Sequence, residues 1–157
     1  QVIESGRNPL ILALDRITDV RNFGAIARTA ESAGVHAIVI PKNDSAPVNS
    51  DAIRTSTGAL LELPVCKVGH IKDAVYLAQS LGLKIIAGTE KSEDNIYAMP
   101  FYEGCMLIMG NEETGVHKGL LQLADYKAKI PMMGTINSLN VSVATGILLY
   151  EAIRQRQ

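Results

Sequence analysis

Residues 9–41 read PLILALDRITDVRNFGAIARTAESAGVHAIVIP, and this stretch decides the fold class. The run PLILAL (9–14) is apolar without alternation, which is typical of a strand buried on both faces of a sheet. The segment after it predicts a helix that Asn22 caps and Gly34 ends. HAIVIP (36–41) predicts a second strand, so the stretch has the strand–helix–strand order of a parallel pair.

The remaining chain repeats this alternation of short apolar runs and helical patterns. Further strands are expected near 64–68, 83–88, 105–110 and 126–131, and further helices at about 51–57, 70–81, 117–124 and 138–155. The pattern predicts an α/β fold with a mostly parallel sheet flanked by helices. No internal repeat, linker or low-complexity stretch interrupts it, so residues 1–157 are expected to form one domain.

The composition is that of a globular protein with a single core. Of the 157 residues, 47% are hydrophobic and 20% are charged, within the ordinary range for such domains. The formal net charge is −1, so bulk charge gives no basic footprint of a nucleic-acid binder. No apolar run reaches the roughly 18 residues of a membrane span, and the first residues lack the pattern of a signal peptide.

Two further features concern the compartment and the chain end. Cys66 and Cys105 lie far apart, without metal-ligand spacing. We therefore expect two buried free thiols in a reducing cytoplasm and no metal site. The chain begins with Gln1 rather than Met, which suggests a piece of a longer protein.

A dinucleotide cofactor is the first hypothesis for such an alternation, and the sequence argues against it. That site needs a glycine-rich turn directly after the first strand. The residues after the first strand read RITDVRNFG (16–24), which holds neither that motif nor a P-loop lysine. The clustered glycines come later, in MGNEETGV (109–116) and IPMMGTINSLN (130–140).

Three segments carry unusual polar residues. In the first, Asn22 and Arg28 are six positions apart, and we expect them on similar faces of one helix. Gly24 would let a ligand approach the first turn, where a helix N-terminus favours anions. The alternative is a capped surface helix with a solvated arginine.

The second and third segments follow late strands. GNEETG (110–115) places two acids and an amide at the end of a buried strand, where ligands bind in open α/β sheets. In the third, Ser138 is expected to cap the last helix. Asn140, Ser142 and Thr145 then lie within an otherwise apolar helix. They either face a ligand or another polar surface, or bond back to helix carbonyls.

The three motifs together resemble the SpoU (TrmH-like) branch of the SPOUT RNA methyltransferases. N-x-G-x-x-x-R (22–28), G-N-E-x-x-G (110–115) and I-P-M-x-G-x-x-x-S-L-N-V-S-V-A (130–144) occur in the family's order and spacing over nearly the whole chain. Within the family, the chain is most similar to enzymes that methylate a guanosine ribose in 23S rRNA. The one departure is Glu113, where many relatives carry a small residue.

The resemblance implies a fold, a cofactor and a partner. The expected sheet carries a deep C-terminal trefoil knot, in which S-adenosyl-L-methionine binds. The resemblance also implies a homodimer, with the last helix and the first motif at the interface. RNA is the expected substrate, rRNA first and tRNA second. The less favoured alternative is a SPOUT-fold RNA-binding or ribosome assembly factor without catalysis.

The resemblance also assigns site residues by position. The polar residues expected to form the catalytic centre are Asn22, Arg28, Glu112, Ser138 and Asn140. The residues expected to hold the cofactor are Thr89, Gly110, Ile130, Met132 and Leu139. Many relatives carry an additional N-terminal RNA-binding domain. We expect the dimer and that domain to supply most of the contact area with RNA. The arginines of this chain that are expected to contact phosphate are Arg16, Arg21, Arg28 and Arg54.

Overall fold

The computed structural model describes all residues from Gln1 to Gln157. Six strands form one sheet: β1 (Leu10–Asp15), β2 (Ala37–Pro41), β3 (Val65–Val68), β4 (Lys84–Gly88), β5 (Cys105–Gly110) and β6 (Tyr126–Ala128). Six helices surround it: α1 (Val20–Ser32), α2 (Ser50–Thr55), α3 (Ala59–Glu62), α4 (Ile71–Ser80), α5 (Lys118–Leu123) and α6 (Val141–Arg156). A short 3-10 turn spans Ile96–Ala98 in the β4–β5 connection.

Every strand pair in the sheet is parallel, in the order β3-β2-β1-β5-β4-β6. The predicted α/β class with a parallel sheet is therefore confirmed. The central strands β1, as far as Leu14, and β5 are apolar because both of their faces are covered. One apolar cluster lies beneath α1 and α6, and a second lies beneath α4 and α5. None of the helices has the length and apolar character needed to cross a membrane.

Several predicted boundaries were wrong by a few residues. The helix expected at about 51–57 is α2 and ends at Thr55, because Thr57 and Gly58 lie in the left-handed region; the second short helix, α3, was not expected. Strand β6 ends at Ala128, because Lys129 instead pairs with Asn95 in the β4–β5 connection.

One of the two cysteines was misplaced by the sequence reasoning. Cys105 is buried in the central strand β5, whereas Cys66 is exposed on β3. Strand β3 lies at the edge of the sheet, where Cys66 and Lys67 are both exposed between the half-buried Val65 and Val68. Both thiols are free.

The two thiols are expected to react very differently with a thiol-specific disulfide reagent at pH 8. Burial raises the pKa of the Cys105 thiol to about 11, so roughly one molecule in a thousand carries the reactive thiolate there. The native protein should titrate with one thiol per chain, and the denatured protein with two. Cys66→Ser should remove the native signal entirely. Rapid labelling of two thiols in the native protein would contradict this burial.

Candidate active site

A cleft lies at the carboxyl edge of the sheet, where β4, β5 and β6 end against the start of α6. This is the edge at which open parallel sheets bind ligands. The lining residues come from the strand ends, the 110–115 turn and the 129–140 segment: Gly88, Thr89, Glu90, Met109, Gly110, Asn111, Glu112, Gly115, Ala128, Ile130, Met132, Asn137, Ser138, Leu139, Val141, Ala144 and Leu148.

All five residues expected to hold a cofactor line this cleft: Thr89, Gly110, Ile130, Met132 and Leu139. Of the five polar residues expected at the catalytic centre, Glu112 and Ser138 also line it. Asn111, the amide that the second motif places at the strand end, lines it as well, whereas sequence reasoning missed Glu90 and Asn137. Glu90 directly follows Thr89, which the resemblance had assigned, and its place just after the end of β4 is the signal that could have found it.

Asn140 joins the three motifs at the rim of the cleft. Its side-chain Nδ2 donates to Asn22 Oδ1 at 3.2 Å and to Glu112 Oε1 at 2.8 Å. Its Oδ1 accepts from the backbone N–H and the hydroxyl of Ser142. Both hydrogens and the oxygen of the amide are therefore used, which leaves Asn140 one orientation.

Glu112 is held by one of its two carboxylate oxygens. Oε1 accepts from Asn140 Nδ2 and from the backbone N–H of Val141 at 3.0 Å. Val141 is the first residue of α6, so the carboxylate lies at a helix N-terminus, where negative charge is stabilised. Oε2 makes no hydrogen bond within the chain and remains available to a bound molecule.

The last helix begins later than the sequence predicted. Asn140, not Ser138, is its N-cap. Glu112 accepts a hydrogen bond from the backbone N–H of Val141, and the Asn140 side chain accepts one from the backbone N–H of Ser142. The residues that join the three motifs therefore also cap the first turn of α6. Ser138 and Leu139 consequently precede the helix and face the cleft. The expected position of Asn140 inside the helix was therefore wrong.

The first helix begins earlier than predicted. Asp19 caps α1, and its carboxylate accepts from the backbone N–H of Asn22 at 2.9 Å. Asn22 was therefore wrongly assigned as the cap. Because Asp19 caps the helix, the Asn22 side-chain oxygen is available to accept a hydrogen bond from Asn140 Nδ2.

Arg28 does not share a face with Asn22. Six residues along a continuous α-helix are a rotation of roughly 240°, so the two side chains point about 120° apart. The expectation of similar faces was wrong. Arg28 is exposed, lies outside the cleft lining and has no side-chain hydrogen bond or ion pair within the chain.

The other glycine and hydroxyl residues of the motifs have structural partners. A Cβ on Gly24 would lie 2.6 Å from the Thr55 Cβ, so Gly24 permits close packing of α2 rather than approach of a ligand. The buried Thr145 hydroxyl donates back to the Val141 carbonyl at 2.7 Å, which is the structural alternative for that residue. Ser142 bonds to Asn140 instead.

The 110–115 turn is closed by its own residues. Asn111 Oδ1 accepts from the backbone N–H groups of Glu113 and Thr114, and Gly115 N–H donates to the Asn111 carbonyl. Glu113 is exposed and lies outside the left-handed region, so this position does not require a small residue. Gly110 does have to be glycine, because a Cβ there would lie 2.1 Å from the backbone carbon of Gly115.

Gly110→Ala is expected to open this turn and to damage the cleft. Overpacking against backbone costs about 1–3 kcal/mol, which corresponds to a fall of roughly 3–10 °C in Tm for a domain of this size. Ligand affinity at the cleft should fall with it. Gly134→Ala is the matched control, since nothing lies within 4 Å of a Cβ there. Equal Tm values for the two variants would show that the turn tolerates a side chain.

Two of the four arginines expected to contact phosphate are already engaged. Arg16 Nη2 donates to the Gly115 carbonyl at 3.0 Å, and Arg54 pairs with Asp51 at 3.3 Å. Arg21 and Arg28 are exposed, and their guanidinium groups have no partner within the chain. No group of three or more His, Cys, Asp or Glu side chains is arranged as metal ligands.

Several curated and solved proteins are similar to this chain. The 23S rRNA (guanosine-2'-O-)-methyltransferase RlmB of Pseudomonas aeruginosa is 37% identical over 148 residues, which are 94% of this chain and 60% of that protein. RlmB of Escherichia coli K12 is 37% identical over 99% of this chain and 64% of its own length. The chain thus spans about three fifths of the curated relatives that it matches.

The solved structures share the fold. The SpoU methyltransferase AviRb from Streptomyces viridochromogenes, in complex with AdoMet, superposes with a TM-score of 0.87 at 32% identity, over 95% of this chain and 61% of that one. The TrmH/SpoU tRNA modifying enzyme of A. aeolicus gives 0.87 at 33% identity, over 96% and 76%. The model of the SpoU rRNA Methylase family matches residues 9–150. The chain therefore belongs to the SpoU rRNA methylase family.

Proposed function

We propose that this chain is the catalytic domain of an S-adenosylmethionine-dependent methyltransferase acting on the ribose 2′-hydroxyl of a guanosine in 23S rRNA. The observation that carries the proposal is the junction of Asn22, Glu112 and Asn140 beside the cleft. Three distant segments supply one polar side chain each to a single point, as a catalytic centre requires. The names of the curated relatives support the reaction and the RNA. With an rRNA substrate, the proposed location of the protein is the cytoplasm.

The cleft fits S-adenosylmethionine in its chemistry. Its walls combine apolar side chains such as Leu139 and Leu148 with main-chain groups of glycines, which suit an adenosine. It contains the carboxylates of Glu90 and Glu112 and no Lys or Arg, which suits a positively charged sulfonium. When bound, the cofactor supplies an activated methyl group. We propose that it is held by the five residues expected from the sequence: Thr89, Gly110, Ile130, Met132 and Leu139.

The chain's own residues must orient and activate the ribose oxygen. A 2′-hydroxyl is a weak nucleophile until its proton is lost or shared. Glu112 Oε2, which is free within the chain, accepts that proton directly or through water, while Oε1 stays bound to Asn140 and Val141. Ser138 lines the same cleft and orients the ribose. No histidine belongs to the three motifs.

Arg28 acts as an electrostatic clamp rather than as a base. An arginine side chain stays protonated near neutral pH. Its exposed guanidinium is free to bind the phosphate next to the target ribose, which makes the hydroxyl more acidic and stabilises charge developing on the oxygen. Because it lies away from its own cleft, we place it at the site of a second copy in a homodimer.

The dimer proposal is supported by exposed apolar residues on α6, where Val143 is 51% and Tyr150 is 50% exposed. Mixing Arg28→Ala and Glu112→Ala chains tests the cross-subunit role. A random mixture of dimers contains one intact site in each heterodimer, so activity should recover to about a quarter of wild type. Heterodimers that form but remain inactive would place Arg28 elsewhere.

A trefoil knot is part of the same proposal. Strand β6 lies at the sheet edge, whereas α6 packs near the centre against α1 and β5, so the 129–140 segment returns past the β4–β5 connection. Lys129 hydrogen-bonds on both sides to that connection, at Asp94 and Ile96. A stable domain fused after Gln157 should slow refolding by hindering threading, whereas the same domain before Gln1 should not. Equal refolding rates would argue against the knot.

A tRNA ribose is the second candidate substrate, favoured by the similarity to the A. aeolicus tRNA modifying enzyme. Incubation with methyl-labelled S-adenosylmethionine and either 23S rRNA or tRNA separates the two. We expect label in the rRNA. Label in tRNA alone would favour the second candidate, and RNA binding without label would favour a non-catalytic assembly factor.

A further inference from the structure

Asp15 is a buried carboxylate that none of the three motifs contains. It ends β1, directly opposite Gly110 at the end of β5, and is 6% exposed. Its Oδ2 accepts from the backbone N–H of His117 at 2.7 Å. The carboxylate therefore binds the chain at the point where the 110–117 segment leaves the site.

Arg16 holds the same segment from the neighbouring position. Its Nη2 donates to the Gly115 carbonyl at 3.0 Å, and its Nε lies 3.3 Å from Asp15 Oδ1. Arg16 adopts a left-handed backbone, with φ of 59°, a conformation that costs a non-glycine residue free energy and persists only where the surroundings impose it. Together the two side chains fix the last residues of the segment onto β1.

The first residue of this segment, Gly110, is fixed by its pairing with β1 in the sheet. The middle of the segment is fixed by the hydrogen bonds that Asn111 Oδ1 accepts. Glu112 lies between the two fixed ends. We infer that Asp15 and Arg16 are positioning residues that hold the 110–117 segment so that the Glu112 carboxylate meets Asn140 and Val141. The inference deepens the proposed function and rests on it only for the effect on methyl transfer.

The direct test is the hydrogen exchange of the Val141 amide, whose acceptor is Glu112. Glu112→Ala removes that acceptor and sets the reference rate. Asp15→Asn keeps the shape of the side chain and weakens its bond to His117. It should raise Val141 exchange by roughly tenfold or more, because bonds to charged groups are the stronger ones. The double variant should exchange no faster than Glu112→Ala alone, since Asp15 acts through Glu112. Arg16→Ala gives the second, independent perturbation of the same kind.

Asp125→Asn is the matched control. Asp125 also accepts one backbone N–H across the sheet, from Ile85 at 2.8 Å, but at the opposite edge. The Asp125→Asn variant should raise the exchange rate of the Ile85 amide and leave that of the Val141 amide unchanged. Unchanged Val141 exchange in both Asp15→Asn and Arg16→Ala would overturn the inference, as would a double variant that adds the two effects.

Methyl transfer gives a second readout with the same logic. Asp15→Asn should lower kcat, and its combination with Glu112→Ala should be no slower than Glu112→Ala alone. If Asp125→Asn slows the reaction at all, its fold-reduction in kcat should multiply that of Glu112→Ala in the double variant, because the two sites are independent. A wild-type protein that transfers no methyl group to RNA would contradict the proposed function, whereas the amide exchange would still decide the role of Asp15 and Arg16.

Discussion

Arg28→Ala is expected to lower the rate of methyl transfer to RNA by roughly 10²–10³-fold, the cost of losing one group that stabilises developing charge. The affinity for S-adenosylmethionine should change by less than about threefold, because Arg28 is exposed and does not line the cleft. Equilibrium binding and single-turnover transfer measured on the same preparation separate these two effects.

Two further variants sharpen this result. Arg28→Lys keeps the charge but loses the planar pair of donors, so an electrostatic clamp should retain partial activity. Arg7→Ala is the matched control, since Arg7 is an exposed arginine before β1, at the amino edge of the sheet. A loss of cofactor affinity as large as the loss of rate would contradict the role assigned to Arg28.

Asn140→Asp should be nearly as damaging, for a different reason. The substitution replaces the amide that donates to Asn22 and Glu112 with a carboxylate 2.8 Å from the Glu112 oxygen. The Asn22 and Glu112 oxygens each lose the N–H that donated to them, and each lost hydrogen bond costs on the order of 1–3 kcal/mol. The two carboxylates also repel each other. We expect methyl transfer to fall by roughly 10²-fold or more and the start of α6 to loosen.

Ser142→Ala is the control for this change. It removes the neighbouring hydroxyl, which bonds to the Asn140 oxygen, but leaves both Asn140 donors in place. Its activity should stay within several-fold of wild type, with the Val141 amide still protected. An Asn140→Asp protein of full activity would show that the junction of the three motifs is not required for the reaction.

The strands were largely predictable because a buried strand of a parallel sheet is a continuous apolar run, which can be recognised without knowing its neighbouring strands. PLILAL overlaps β1 from Leu10 to Leu14, and CMLIMG is the whole of β5; the residues of both strands are nearly all buried. The helix starts were not predictable in the same way. Several residues before each helix are able to cap it, and tertiary contacts choose among them. At α6 the choice of Asn140 over Ser138 depends on Glu112, which lies 28 positions earlier.

The site was predictable as a set of residues but not as an arrangement. Thr89, Gly110 and Ile130 were placed by resemblance, and they meet because β4, β5 and β6 are neighbours. That strand order cannot be obtained from periodicity, and neither can the exposure of Cys66 on an edge strand. Asp15 was missed because an acid after an apolar run is also an ordinary strand end. Its significance appears only once β1 lies beside β5.

The proposed role of the cleft and the Asn140 junction is methylation of a guanosine 2′-oxygen in 23S rRNA. The most direct measurement is mass-spectrometric mapping of unmodified 23S rRNA at successive times after mixing with the protein and S-adenosylmethionine, with Asn140→Asp as the slowed comparison. We predict a single added methyl group, recovered as 2′-O-methylguanosine, which the variant forms roughly 10²-fold more slowly. A methyl group on a base, or no methyl group on rRNA from a protein that binds the cofactor, would contradict this role.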